Sequence, residues 1–131
     1  MKVLADTSAL YTLMDEDEER HARAVAALAE LSQRDDSLVT HNYVVTEACA
    51  LLQRRLGMAA SIRFLDDVVP LMDIAWVDRA VHDAAVAAYT VSRSALSLVD
   101  RVSFEIMRRE GMDTAFAFDD DFRRAGFRTV P

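Results

Sequence analysis

Four acidic residues lie at positions that solubility alone does not explain, and together they could hold a metal ion. Asp6 and Asp119 each follow a short apolar run, and Glu47 and Asp100 each lie near the beginning of a predicted helix. Carboxylate oxygens are the ligands that hard cations such as Mg²⁺ and Mn²⁺ prefer. A cation held this way activates water and neutralises charge on a phosphodiester under attack, so the expected chemistry is metal-assisted phosphodiester hydrolysis.

Each of these acids also has an ordinary structural role open to it. Asp6 could cap the helix that follows it, and Asp100 matches a capping box with Ser97. Glu47 lies at the margin of the apolar stripe of its helix, where we expect it to be half buried, and a surface salt bridge would also explain it. A shared site is indicated because all four acids are predicted at one edge of the sheet. Asp6 and Asp119 would end strands, Glu47 and Asp100 would lie in first turns of helices that follow strands, and all four would share one sheet edge.

The fourth acid of this set is ambiguous because three aspartates are consecutive. Asp119, Asp120 and Asp121 repel one another, so at least one is expected to have a compensating partner. A solvated turn with an N-cap from Asp120 or Asp121 is the alternative. Placement at a strand end favours Asp119, and Asp121 stays open.

The elements that would position these acids alternate between strand and helix. Apolar runs predict strands at residues 2–5, 37–40, 74–77, 114–118 and 127–130. Helical spacing and stop residues predict helices at 21–31, 42–56, 59–69, 78–89 and 97–110 and a short one from 121, with Asn42 as an N-cap and Pro70 as a stop. This alternation predicts an α/β fold with three layers, a mainly parallel sheet of four to five strands covered on both faces, as one domain over residues 1–131.

Composition excludes several classes of protein. The 22 acidic and 15 basic residues give a net charge of −7, which disfavours a nucleic-acid coat protein. Phosphoacceptor domains and dehalogenase-type phosphatases both normally need a lysine near the end of a later strand, and this chain has no lysine after Lys2. The dehalogenase type also carries a second Asp where Ser8 stands, so both classes fit poorly. His21, His41, His82 and Cys49 lack the spacing of a zinc site.

The expected compartment follows from what the chain does not contain. No apolar run approaches the roughly 20 residues of a membrane helix, and no signal peptide is recognisable at the start. The single cysteine cannot form an internal disulfide. We therefore expect a cytoplasmic protein without membrane contact.

Trp76 and Phe64 are expected in the core of the protein.

Several segments resemble the motifs of PIN-domain nucleases. They are residues 6–10 (DTSAL) after the first strand, 96–104 (LSLVDRVSF) around Asp100, and 117–122 (AFDDDF), closed by 126–128 (GFR). Glu47, within residues 45–48 (VTEA), stands where that family has its second acid. The resemblance covers essentially the whole chain, and its size and motif spacing are most similar to the VapC toxins of bacterial and archaeal toxin–antitoxin pairs.

The resemblance implies a ribonuclease that uses Mg²⁺ or Mn²⁺, with one or two ions per site. Asp6, Glu47 and Asp100 would bind metal most directly, and Asp119 would complete the site by holding a second ion or orienting the water. A hydroxyl of the two residues after Asp6, Thr7 or Ser8, would support that carboxylate. Asn42 could reach the rim of the pocket, although its role as an N-cap is favoured.

The resemblance also implies partners. The substrate would be tRNA, rRNA or mRNA, and the protein would be a homodimer held inactive by a VapB-type antitoxin whose C-terminal segment lies over the pocket. Two alternatives stay open: a catalytically quiet PIN-like module that binds RNA or protein, and a nuclease acting on DNA. Paired arginines at 54–55, 108–109 and 123–124 could contact phosphates, although surface arginines more often pair with nearby acids.

Overall fold

Five parallel strands form one sheet in the order β3-β2-β1-β4-β5. The computed structural model describes residues 1–131, and its strands are β1 (Lys2–Ala5), β2 (Ser37–His41), β3 (Asp73–Ala75), β4 (Thr114–Phe116) and β5 (Arg128–Val130). All four pairings are parallel. The predicted parallel sheet of four to five strands is therefore confirmed.

Seven α-helices cover the two faces of this sheet. They are α1 (Thr7–Met14), α2 (His21–Gln33), α3 (Asn42–Leu56), α4 (Met58–Arg63), α5 (Arg79–Ser92), α6 (Leu98–Glu110) and α7 (Asp121–Arg124). Alternate residues of β1 face opposite layers, so Val3 and Ala5 pack with α1, α2 and α3, whereas Leu4 packs with α5 and α6. The two apolar clusters on either side of the sheet make the three-layer α/β/α architecture that was expected. All seven helices fall short of the length and apolar character that a membrane span requires.

The centre of the sheet is the point where the strand order reverses. The chain runs outward from β1 through β2 to β3, and β4 and β5 are then added on the other side of β1. Ligands of open parallel sheets bind beyond the carboxyl ends of the strands at such a point. Ala5 of β1 is in register with Phe116 of β4, so the chain leaves both strands side by side, at Asp6 and in the segment that leads to Asp119.

Two strands, β3 and β4, end two residues earlier than the sequence indicated. β3 ends at Ala75, so Trp76 lies beyond an edge strand and is 75% exposed, and the prediction of a core tryptophan is wrong. β4 ends at Phe116, so Asp119 lies in the following loop rather than directly at the strand end. Apolar composition continued past both strand ends, which is why the pattern overextended them.

The segment predicted as one helix over residues 59–69 is divided in the structure. α4 ends at Arg63, and a π-helical turn (Phe64–Val68) and a 3₁₀ turn (Val69–Leu71) follow it. Pro70 lies within the 3₁₀ turn instead of after a helix, since a proline in a first turn loses no hydrogen bond that the turn would make. Phe64 is fully buried, as predicted.

Candidate metal centre

Asp6 is fixed by two elements at once. Its backbone N–H donates to the carbonyl oxygen of Phe116 at 3.0 Å, and its side chain caps α1. Oδ2 accepts hydrogen bonds from the N–H of Ser8 at 3.1 Å and from the hydroxyl of Ser8 at 2.7 Å. The residue is 4% exposed and makes no salt bridge. Asp6 is thus both a helix cap and a buried acid without a cationic partner.

The environment of Asp6 favours its protonated form. Burial, with smaller contributions from the negative charges of Asp100 and Glu47, raises the pKa of Asp6 to about 6, and the hydrogen bonds from Ser8 oppose only part of that rise. The structure therefore places these three predicted site residues in one acidic field.

Asp100, Asp119 and Asp121 form the tightest group of acids in the molecule. One carboxylate oxygen from each lies within 4.8 Å of the other two. Burial raises the pKa of Asp100, and the charges of Asp119 and Asp121 add to this effect against hydrogen bonds from Ser97. Such a group of oxygens is the donor set of a hard divalent cation.

Asp100 is oriented by the beginning of α6. Its Oδ2 accepts from the N–H of Ser97 at 3.2 Å, and its own N–H donates to Ser97 Oγ at 3.1 Å. This reciprocal pair is the predicted capping box. The helix follows α5 and a loop, not a strand as the sequence argument had assumed.

The three consecutive aspartates have different environments. Asp119 Oδ1 accepts from the N–H of Asp121 at 3.0 Å, so Asp119 caps α7, whereas the N-cap residue Asp120 makes no capping bond through its side chain. Partial desolvation and the charge of Asp119 raise the pKa of Asp121, against an ion pair with Arg124 at 3.2 Å. Asp120 is exposed and pairs with Arg123 at 3.4 Å. Asp119 and Asp121 both belong to the acidic group, and Asp120 does not.

Glu47 lies apart from the others in exposure. α3 buries Val44, Ala48 and Leu52, four residues apart, and this stripe leaves Glu47 exposed, so the prediction of a half-buried carboxylate is wrong. It lies in the second turn of α3 rather than the first, and it makes no salt bridge. Its charge nevertheless acts on Asp6.

One of the two candidate hydroxyls supports Asp6. Ser8 Oγ donates to Asp6 and also accepts from the N–H of Phe118 at 3.0 Å, the residue before Asp119. The hydroxyl of Thr7 is buried and makes no hydrogen bond.

Asn42 does not cap α3, contrary to expectation. The strand β2 extends to His41 and α3 begins at the next residue, Asn42, so His41 is the N-cap. Its Nδ1 accepts from the N–H of Val44 at 3.4 Å. Asn42 Oδ1 instead accepts from the N–H of Val77 at 2.8 Å and joins the beginning of α3 to the segment after β3.

His41 is a residue that sequence reasoning missed. It is fully buried, and its Nε2 is 2.8 Å from Oγ of Ser103, three residues after Asp100 in α6. Burial lowers the pKa of His41 to about 4. His41 thus connects the beginning of the helix that carries Glu47 with the helix that carries Asp100. A polar side chain at a strand-to-helix junction was the pattern that could have indicated it.

The acids present fit a divalent cation. Asp6, Glu47, Asp100 and Asp119 make no salt bridge, and only Asp121 has an arginine partner. Repulsion among uncompensated carboxylates is relieved when a cation binds them.

The whole chain is similar to proteins of one family. A family model described as "PIN domain" matches residues 3–128. The chain belongs to the PIN-domain family. Membership of this family confirms two predictions, because PIN domains share the three-layer α/β/α fold and are metal-dependent nucleases, that is, enzymes that cleave phosphodiesters.

Individual relatives narrow the similarity. The 23S rRNA-specific endonuclease VapC20 of Mycobacterium tuberculosis is 30% identical over 132 residues, which cover 98% of this chain and 97% of that protein. The crystal structure of Mycobacterium tuberculosis VapC20, described as a sarcin–ricin loop cleaving toxin, superposes with a TM-score of 0.86 at 28% identity and covers 95% of both chains. The resemblance to VapC toxins is therefore confirmed.

A more distant structure shares the fold alone. VapBC2 from Rickettsia felis, bound to a DNA fragment from its promoter, matches with a TM-score of 0.74 at 10% identity and covers 98% of this chain and 97% of that one.

Proposed function

We propose that this PIN-domain protein is an endoribonuclease toxin of a VapBC-type pair, acting as one domain and hydrolysing RNA phosphodiester bonds with Mg²⁺ or Mn²⁺. The observation that carries the proposal is the grouping of three carboxylates, those of Asp100, Asp119 and Asp121, within 4.8 Å, next to the buried Asp6. An all-oxygen donor set favours Mg²⁺ or Mn²⁺ over zinc.

In this proposal Asp6, Glu47 and Asp100 hold the metal most directly, Asp119 completes the site, and Asp121 supports it. One or two bound ions would supply an activated water and neutralise the charge that develops on the phosphate. The remaining work belongs to the chain. Ser8 orients Asp6, and Ser97 orients Asp100, so that the carboxylates face the site without rearranging.

The similarity to VapC20 supports a class of substrate. That relative is named as specific for 23S rRNA and as cleaving its sarcin–ricin loop. We propose the same RNA element as the first substrate to test for this chain. A homodimer in the cytoplasm and a VapB-type antitoxin that covers the acidic site complete the proposal, by analogy with toxin–antitoxin assemblies such as VapBC2.

The experiment that tests the proposal is induced expression in a bacterial host, with growth followed and RNA 5′ ends mapped across the transcriptome. The Asp6→Asn variant is expressed beside it, and Asp83→Asn, a surface aspartate 62% exposed in its side chain, is the matched control. We expect growth arrest and a few new 5′ ends that require Asp6 and persist in the Asp83 variant. Normal growth with unchanged 5′ ends, although the protein is folded, would contradict the proposal and favour a binding module without nuclease activity.

A further inference from the structure

A cleft of about 430 Å³ opens beside the acidic group and is lined by residues of the α5–α6 loop, α6 and α7. We call it the arginine cleft, because Arg101, Arg108 and Arg124 line it. Asp121, which belongs to the group of three acids, lies on its wall. The arginine cleft and the candidate metal centre therefore share Asp121.

The side chains of the arginine cleft make it locally positive. Arg124 is paired with Asp121, but Arg101 and Arg108 make no salt bridge. The three arginines and one aspartate leave the cleft positive in a chain whose net charge is −7. An anion that enters the cleft meets two guanidinium groups, those of Arg101 and Arg108, that no carboxylate pairs with.

Arg101 is held in place without a carboxylate. One guanidinium nitrogen donates to Ser92 Oγ at 2.6 Å and to Ser94 Oγ at 3.1 Å, and its Nε is buried without a partner. A guanidinium fixed by neutral hydroxyls keeps its full charge and has already lost side-chain freedom, so it binds an anion at a lower entropic cost.

Arg108 is the accessible member of the group. It is exposed, and its guanidinium carbon lies 5.9 Å from the ring centroids of Phe104 and Phe127. Arg108 lines the cleft and makes no salt bridge, whereas the next residue, Arg109, pairs with Glu105 at 2.8 Å and does not line the cleft. The two neighbours on one helix therefore form a natural comparison.

We propose that the arginine cleft binds a backbone phosphate of the RNA next to the scissile bond, so that the strand enters the metal centre past Arg108 and Arg101. Arginine pairs with phosphate through parallel hydrogen bonds, and phosphate contacts fix the register of a bound strand without reading its sequence. Ala95 and Leu96 give the cleft an apolar part against which a ribose or base can pack. This inference rests on the proposed ribonuclease function.

Binding is measured by fluorescence anisotropy in the Asp6→Asn background, which separates binding from cleavage. The probes are a synthetic hairpin with the sarcin–ricin loop sequence of 23S rRNA and an unrelated single-stranded oligouridylate. Arg108→Ala is expected to weaken both by about tenfold and to lower the slope of log Kd against log salt by about one. Arg108→Lys should recover part of the affinity, and Arg109→Ala should bind both RNAs like the parent.

Cleavage of the hairpin by protein that keeps the native Asp6 supplies the second readout. Arg108→Ala is expected to raise KM about tenfold with little change in kcat, as for a contact made equally in the ground and transition states. If Arg108→Ala binds both RNAs as tightly as Arg109→Ala, the inference is wrong, even if binding of an acidic protein partner is lost. If the wild-type chain cuts no RNA but the Arg108 effect on binding persists, the cleft assignment stands and the nuclease proposal fails.

Discussion

Ser8 Oγ donates a hydrogen bond of 2.7 Å to Oδ2 of Asp6, the most buried acid of the site. The same oxygen accepts from the N–H of Phe118 at 3.0 Å, directly before Asp119. One hydroxyl thus fixes the rotamer of Asp6 and the path of the loop that carries Asp119. Groups that orient metal ligands in this way commonly affect activity nearly as strongly as the ligands themselves.

Ser8→Ala is expected to lower the single-turnover cleavage rate by about 10- to 100-fold, because Asp6 loses its orienting donor. Thr7→Val is the matched comparison, since the neighbouring Thr7 hydroxyl is buried but makes no hydrogen bond. The rate of the Thr7 variant should stay close to that of the wild type. Equal losses in the two variants would show that the Ser8 hydroxyl has no special role.

Asp6→Asn is expected to stabilise the metal-free protein at neutral pH. The pKa of Asp6 rises from 3.8 to about 6 on folding, so the folded state binds the proton more tightly. The free energy of unfolding of the wild type therefore falls as pH rises from about 4 to about 6, by at most about 3 kcal/mol. Asparagine still caps α1 and has no charge to bury. Urea denaturation at pH 4 and pH 7.5 in chelator should show a gain for Asp6→Asn at pH 7.5 that is much smaller at pH 4; equal gains would contradict the burial argument.

His41 is expected to produce the opposite slope over an overlapping pH range. Its pKa falls from 6.5 to about 4 on folding, so the unfolded state binds the proton more tightly. Its contribution is complete above about pH 6.5 and is lost as pH falls towards 4, a change of about 3 kcal/mol. His41→Asn keeps a capping acceptor but removes the titration. The test is the slope between pH 4 and 6.5, which should become less positive in the variant; an unchanged slope would exclude His41 as its source.

Divalent metal is expected to raise the thermal stability of the wild type at pH 7.5. An ion present at a hundredfold excess over its Kd adds about 2.7 kcal/mol. Asp100→Asn should weaken Mn²⁺ binding about tenfold and remove about 1.4 kcal/mol of that gain. Differential scanning calorimetry with and without Mn²⁺ measures this, with Asp83→Asn as the surface control. A full metal response in the Asp100 variant would remove Asp100 from the site.

The consecutive aspartates provide a paired test of site geometry. Asp121 belongs to the acidic group and pairs with Arg124, whereas Asp120 lies outside it and pairs with Arg123. Each Asp→Asn change breaks one exposed ion pair, which contributes little, but only Asp121→Asn removes a carboxylate from the acidic group. Calorimetric titration with Mn²⁺ should show several-fold weaker binding for Asp121→Asn and wild-type binding for Asp120→Asn. Weaker Mn²⁺ binding by Asp120→Asn than by Asp121→Asn would assign the metal to Asp120 instead of Asp121.

Much of the fold could be predicted because its determinants are local. Apolar runs and caps such as Ser97 carry their structural meaning within a few residues. Strand lengths were less accessible, because hydrogen bonding to a neighbouring strand decides where β3 and β4 end, and composition does not. The prediction that Trp76 is buried was wrong for a related reason. The exposure of a side chain depends on which elements pack over it, and the identity of its neighbours in the sequence does not reveal that.

The residues of the candidate site could be proposed from the sequence, and their structural environments less well. Asp6, Asp100 and Asp119 are candidates because each stands near an element boundary. The choice of His41 over Asn42 as the cap depends on where α3 begins, and the exposure of Glu47 depends on how narrow the buried stripe of that helix is. The membership of Asp121 in the group follows from the backbone of the loop after β4, which no pattern in the sequence encodes.

The exposure of Trp76 has a practical consequence for spectroscopy. It is the only tryptophan in the chain, and 75% of it is open to solvent in the folded monomer. Its fluorescence emission therefore begins near that of an indole in water and responds weakly when the protein unfolds. A shift of that emission to shorter wavelength on mixing or concentrating the protein would instead report that another molecule has covered the surface beyond the end of β3.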